Sequence, residues 1–339
     1  MGNVMQRLNG ILLLIALVLT AGILFTGSRT SFARPSGTQP EPVRSVRITF
    51  PEGYTVRDIL ERLADNGVAE REALLDAARN AVFDYDFLNP AFTGTGVSGE
   101  QDGETSGEQM GSSDGQNAQT SENPDTAGEN PDVSGGETAG NADRSGTVPG
   151  EISRLEGYLF PDTYDFYQPE EPSRALNRFL RNFADKLEDW QTQLDAAAQR
   201  GYTLHDILTI ASLIEKETDG TDQTRIAAVI YNRLEGAGDR GGTYGYLQID
   251  AALLYALPDH VGPLTMDDLQ TDSPYNLYRH TGLPPTPIAN PGAQSIEAAL
   301  SPAQTEDYYY ALAKDGHHRF FSSYRDFSAF INSDEYINH

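Results

Sequence analysis

Residues 207–217 read ILTIASLIEKE. At about 100° per residue, Ile207, Ile210, Ala211, Leu213 and Ile214 share one face, which predicts a helix with one side built for burial. Thr203-Leu204-His205-Asp206 leads into it, and it runs to Thr218. Lys216 stands nearly opposite the apolar face, while Glu215 and Glu217 occupy its two shoulders, roughly 160° apart. Only one of the two acids therefore faces any given cleft. A carboxyl held against apolar neighbours has its charged form disfavoured, so it keeps a proton near neutral pH and is a usable general acid. The same Glu-Lys-Glu is also what a solvated helix end carries for solubility, and spacing leaves both readings open.

Outward from this helix the chain reads as an α+β protein. On its C-terminal side, residues 225–234 (RIAAVIYNRL) predict a further amphipathic helix, followed by a glycine-rich turn region at 236–245 and YLQIDAALLYAL. A Pro-rich loop, a helix near Ile296, two strand-like stretches (DYYYALA and HHRFFSS) and a closing helix complete it. On the N-terminal side, a helix from Pro172 to about Gln199 carries Leu176, Phe179, Leu180, Phe183, Leu187 and Trp190 on one stripe. The whole of 151–339 is expected to be one mixed α+β domain.

Residues 94–150 differ in kind, with eleven acids against the single base Arg144 and almost no aliphatic side chains. Such a segment buries too little apolar surface to fold and is expected to be a disordered acidic insert, with an r.m.s. span of roughly 40 Å as a flexible coil. Before it, residues 43–93 predict a small α+β module. Its strand alternates Val46, Ile48 and Phe50, a Pro-Glu-Gly turn follows, and Val56, Ile59, Leu60 and Leu63 recur at helical spacing up to the stop at Asn66-Gly67; a second helix comes next. Residues 29–42 read as a polar spacer.

Residues 8–27, LNGILLLIALVLTAGILFTG, carry no charge. As a helix they would span the roughly 30 Å hydrocarbon core, so residues 1–28 are expected to be a short cytoplasmic tail and a single-pass transmembrane anchor; a cleaved signal peptide usually has a shorter apolar region. Arg7 precedes the span and Arg29 and Arg34 follow it, which gives no clear orientation. The long acidic remainder is taken to lie outside the plasma membrane.

The chain has 339 residues and a formal charge of -26, from 24 Lys and Arg against 50 Asp and Glu. That balance argues against nucleic acid or an anionic lipid surface as the main partner. With no cysteine, disulfides, thiolate metal sites and a cysteine nucleophile are excluded. The six histidines, His317 and His318 among them, show no metal-ligand spacing, and no metal or cofactor is expected. The glycines at 236, 238, 241 and 242 follow a helix and lack a P-loop Lys-Ser pair, and no serine sits in a G-x-S-x-G elbow.

Six motifs in order, LEGYLFPDTY (155–164), ASLIEKET (211–218), VIYNRL (229–234), LQID (247–250), SPYNLYRHTGLPPTPIANPG (273–292) and YYYALAKDGHHRFF (308–321), resemble the YceG-like (MltG) endolytic murein transglycosylase family. The resemblance covers residues 151–339 and, more loosely, the 43–93 module, which is similar to that family's LysM-like subdomain. It implies Glu217 as the catalytic acid, with Glu215 beside it in support. The implied reaction cleaves the β-1,4 bond between N-acetylmuramic acid and N-acetylglucosamine within peptidoglycan glycan strands, leaving 1,6-anhydro ends. Such an enzyme would work in cell-wall synthesis and remodelling, beside cell-wall synthases.

Sugars carry N-acetyl and hydroxyl groups that need neutral donors and acceptors, and pyranose faces on which rings stack. Asn232, Gln248, Tyr275, Asn276, Tyr278 and Asn290 are therefore candidates for the substrate cleft, although Asn276 and Asn290, among prolines and glycines, equally suit turns. Asp250 departs from the family's Gln-x-Asp-Pro-Thr pattern, since Ala251 and Ala252 follow it. A second carboxylate about 5.5 Å from Glu217 would permit a retaining muramidase instead. A non-catalytic peptidoglycan-binding scaffold is the other alternative. Arg233 and Glu156 are read as structural residues that could pair in the domain's frame.

Overall fold

The computed structural model describes residues 44–92, 153–236 and 240–337. The expected membrane span, the spacer and the acidic insert lie outside the described residues. Among the described residues no helix is long and apolar enough to cross a membrane.

The architecture is mixed α+β, as expected. Strand β1 (Arg44–Thr49) is followed by helices α1 (Val56–Asp65) and α2 (Arg71–Asn80). Beyond the acidic segment come β2 (Thr163–Gln168), the long α3 (Pro172–Gln199), α4 (Leu204–Glu217), α5 (Gln223–Glu235), α6 (Asp250–Ala256) and α7 (Ala293–Leu300). The hairpin β3 (Tyr309–Leu312) and β4 (His318–Phe321) and helix α8 (Tyr324–Ile331) close the chain.

Local chemistry explains the element boundaries. Thr55 and Asp58 form a capping box on α1, and Thr203 and Asp206 form another on α4, each satisfying two otherwise orphaned backbone donors. Glu171 caps α3 and Pro172 occupies its first turn, where a missing N–H is harmless. Asn66 ends α1 and Gly67, at φ +66°, turns the chain, as the Asn-Gly pair predicts.

The alternation Val46, Ile48, Phe50 does form a strand, and its partner lies across the acidic segment. β1 and β2 pair antiparallel with Val46 opposite Phe166 and Ile48 opposite Tyr164. One hydrophobic core takes in Ile48, Phe50 and Val56 from the first stretch together with Phe166, Phe179, Ile207 and Ile288 from the second. Arg154 adds a polar tie by donating to the carbonyls of Ala78 and Ala81, at the end of α2, at 2.7 and 2.6 Å.

Helix α4 lies deep in this core. Leu204, Ile207, Leu208, Ile210, Ala211, Leu213 and Ile214 are all buried, so the helix is apolar on more than the single face read from sequence. Its two buried hydroxyls are satisfied locally: Thr209 Oγ1 donates to the His205 carbonyl and Ser212 Oγ to that of Thr209. Ser212 also accepts the Ile288 N–H at 3.0 Å, which fixes the Pro-rich loop against the helix.

Arg233 and Glu156 are both part of the frame, but they do not pair with each other. Glu156 is buried, accepts the Val56 N–H at 2.9 Å and the Tyr255 hydroxyl at 3.0 Å, and meets the Asn290 amide. Burial pushes its carboxyl up to about 8, so at neutral pH it serves chiefly as an uncharged hub joining α1, α6 and the Pro-rich loop. Arg233, equally buried, donates to the carbonyls of Leu247 and Tyr308. With each group satisfied by neutral partners, neither requires the other.

Candidate functional site

Glu217 is the last residue of α4, where the negative end of the helix dipole opposes ionisation. It is partly buried, and its Oε2 accepts the Tyr310 hydroxyl at 3.0 Å. Removal from water pushes the carboxyl up to about 7; the Tyr310 hydrogen bond works against that rise, as do His318 and Arg233, while the Asp250 charge adds to it. A group with that affinity both holds and releases a proton readily at neutral pH, which is what an acid that must next act as a base requires.

Glu215 points elsewhere, as the roughly 160° separation demands. Its Oε2 accepts the Gly292 N–H at 3.1 Å and the Ser295 hydroxyl at 2.7 Å, at the N-terminus of α7. The carboxylate therefore anchors a helix end and ties α7 to α4. The Pro-Glu-Gly turn of 51–53 closes over the same place: Gly53 donates to the Asn290 carbonyl, and Asn290 returns an N–H to that of Tyr54.

Around Glu217 the structure gathers Tyr310 from β3, His318 from β4, Arg233 from α5, Asp250 from the start of α6 and Tyr278 from the loop before α7. Tyr278 donates its hydroxyl to Asp250, an exposed carboxylate. Arg233 lies over the rings of Tyr309 and Tyr310 at 5.6 and 6.0 Å. Gln248 is exposed two residues before Asp250; its backbone is left-handed at φ +52°, and its N–H donates to the Leu277 carbonyl. A non-glycine residue in that region is strained and held by its surroundings.

The remaining candidates are engaged in the frame. Asn276 is fully buried and donates to the carbonyls of Leu269 and Thr271. Asn290, also buried, accepts the N–H groups of Gly157 and Leu159 and donates to Glu156 and Tyr54. Asn232 donates to the carbonyls of Thr305 and Asp307. Tyr275 bonds Thr286 at 2.7 Å and packs 5.3 Å from Tyr255, beside Glu156 rather than Glu217.

Sequence reasoning passed over Tyr310, His318 and Asp222. The signal for Tyr310 was available, because on a strand the period of two puts Tyr308 and Tyr310 on one face and Tyr309 on the other. Asp222, ahead of α5, accepts the Thr218 hydroxyl at 2.7 Å and meets His318 Nδ1 at 2.6 Å. Asp219, Asp222 and His318 bring their oxygen and nitrogen atoms within 4.8 Å of one another. These atoms already have partners: His317 meets Asp219 at 3.1 Å, and Asp219 also takes the Thr221 N–H and hydroxyl. Their arrangement is that of a hydrogen-bond network.

Fold and site together define a mixed α+β protein with a half-buried carboxyl poised for proton transfer at a helix end. The YceG-like family matches residues 33–333, and the chain belongs to that family. It is 42% identical over 162 residues to the endolytic murein transglycosylase of Bacillus subtilis, a stretch covering 47% of this chain and 42% of that protein. It is 34% identical over 164 residues to the protein of the same name from Streptococcus pneumoniae strain D39, covering 46% of this chain and 28% of that one. The matched stretch thus spans under half the length of these curated relatives. The fold is similar to the crystal structure of a yceG-like protein from Listeria monocytogenes, with a TM-score of 0.57 and 25% identity over 84% of this chain and 75% of that one.

Proposed function

We propose that this chain is an endolytic peptidoglycan transglycosylase with Glu217 as its acid and base. The observation that carries the reading is the Glu217 carboxyl at about 7, supported by Tyr310 and set in a fold whose relatives bear the name endolytic murein transglycosylase. Protonated, Glu217 gives its proton to the glycosidic oxygen as the bond from C1 of the muramic acid residue breaks. As a carboxylate it then takes the proton of the muramic 6-hydroxyl while that oxygen closes on C1, leaving a 1,6-anhydro end. One carboxyl suffices because no water is activated, in contrast to hydrolysis by two carboxyls. Tyr310 supports the charged form between the two transfers.

Asp250 favours hydrolysis as a second reading, since its charge reaches Glu217. Its partner Tyr278 occupies one of its oxygens. We place the catalytic part outside the plasma membrane, held there by residues 8–27 as a single-pass anchor, where glycan strands and the synthases that extend them are found.

The test is incubation of the wild type and Glu217→Gln with purified glycan strands and mass spectrometry of the released ends. Anhydro ends from the wild type alone support the proposal. Reducing ends would move the assignment to hydrolysis with Asp250, and the absence of cleavage by folded protein would leave a binding scaffold.

A further inference from the structure

The GHH motif in the turn and strand after β3 has no part in the chemistry above, yet the fold carries it to the catalytic acid. His318, on β4, has a side chain only 8% exposed, and Asp222, its partner at 2.6 Å, is 11% exposed. The same Asp222 carboxylate receives the Thr218 hydroxyl at 2.7 Å, and Thr218 directly follows Glu217. The His318 ring meets Tyr310 edge to face at 5.4 Å, and Tyr310 donates to Glu217 at 3.0 Å. A closed circuit results: Glu217, Tyr310, His318, Asp222, Thr218 and back to Glu217.

We propose that Asp222 and His318 are a positioning pair for the catalytic acid, locking the Tyr310 phenol onto Glu217 and setting the pH at which Glu217 changes charge. The proposal rests on the transglycosylase reading only for its consequence on rate. Geometry carries it: α4 contributes Glu217, β3 Tyr310, β4 His318, and the loop ahead of α5 both Thr218 and Asp222, so no single element can move the acid alone. His318 also favours the ionised form of Glu217. The other charged or titratable groups facing this cluster are Arg233 on α5, Asp250 on α6, Tyr278 in the loop before α7, and Asp219 with its partner His317. Arg225 lies over Phe320 at 4.4 Å but is neutralised by Asp307 at 2.7 Å. Phe320, also on β4, packs 6.0 Å from the Tyr310 ring and Arg233 lies 6.0 Å over it, so His318, at 5.4 Å, is the titratable group that reaches that ring from β4.

The experiment uses the full chain in detergent. Infrared difference spectra between the wild type and Glu217→Gln isolate the protonated-carboxyl band of Glu217, which is followed from pH 4 to 9. His318→Gln should raise its midpoint by roughly half to one pH unit, Asp222→Asn should displace it by freeing the imidazole from its place beside Tyr310, and His317→Gln should leave it in place. Combining His318→Gln with Tyr310→Phe should move the midpoint by less than the sum of the single shifts, because the two act through one contact. If His318→Gln fails to fold, Asp222→Asn carries the test, with circular dichroism as the check. An unmoved midpoint in a folded variant overturns the pair, as does a uniform loss of rate at every pH. Absence of Glu217-dependent strand cleavage by the wild type would instead sink the functional reading, and the infrared titration would still decide the positioning one.

Discussion

Burial pushes the Glu217 carboxyl up to about 7, from the 4.5 of an ordinary glutamate. Linkage makes this a stability effect, whatever the reaction. Because the folded-state value is the raised one, the stabilising contribution of the protonated group is complete below about pH 4.5 and is lost as pH rises through about 7. Glu217→Gln should therefore abolish cleavage while flattening the pH dependence of stability across that window, by about 3 kcal/mol in total. Urea unfolding of both proteins at a series of pH values measures it, and parallel curves would contradict the burial account of the shift. Tyr310→Phe removes a hydrogen bond that favours the carboxylate, so its alkaline limb in a pH–rate profile should lie above that of the wild type. Glu215→Ala acts by another route: it strips the N-terminus of α7 of its acceptor and should cost about 1 kcal/mol while leaving the midpoint of Glu217 unmoved.

At the scale of elements, the loops that carry candidate residues are as tightly specified as the helices. Gly157 sits at φ +89°, and a Cβ there would come within 2.6 Å of Pro287 Cγ. Gly157→Ala should lower stability by about 2 kcal/mol or more, read as a drop in Tm, because both the backbone conformation and the Pro-rich loop must give way. Helix α4 was legible from its periodicity, and α1 and α3 from their apolar stripes, since those signals are local. The role of Glu215 was not, because the helix end it anchors lies some eighty residues ahead. Asn276 and Asn290 show the same limit: the residue type suits a sugar or a turn equally, and only the fold reveals that their amides are already engaged. The role of His318 was not legible because its significance comes from Asp222, which the sequence separates from it by about half of the domain.

For the whole molecule, the pairing of β1 with β2 joins residues 44–92 to the main core of the later stretch, whatever the length of chain between them. Replacing residues 94–150 with a Gly-Ser linker of about ten residues should preserve cleavage and raise stability by about 1 to 2 kcal/mol, because loop closure costs grow only with the logarithm of length. Chemical denaturation and the strand-cleavage assay check both halves; loss of folding would show that the acidic segment does more than connect. The β pairing has a consequence in time as well. Thr49 and Thr163, whose hydroxyls meet at 2.8 Å, are 114 residues apart. At about 5 to 20 residues per second, β1 is made roughly 6 to 23 seconds before its partner strand. For that interval its ladder edge and the apolar faces of α1 and α2 stand bare, so the nascent chain should be a chaperone client, and shortening the acidic segment should shorten that dependence in proportion.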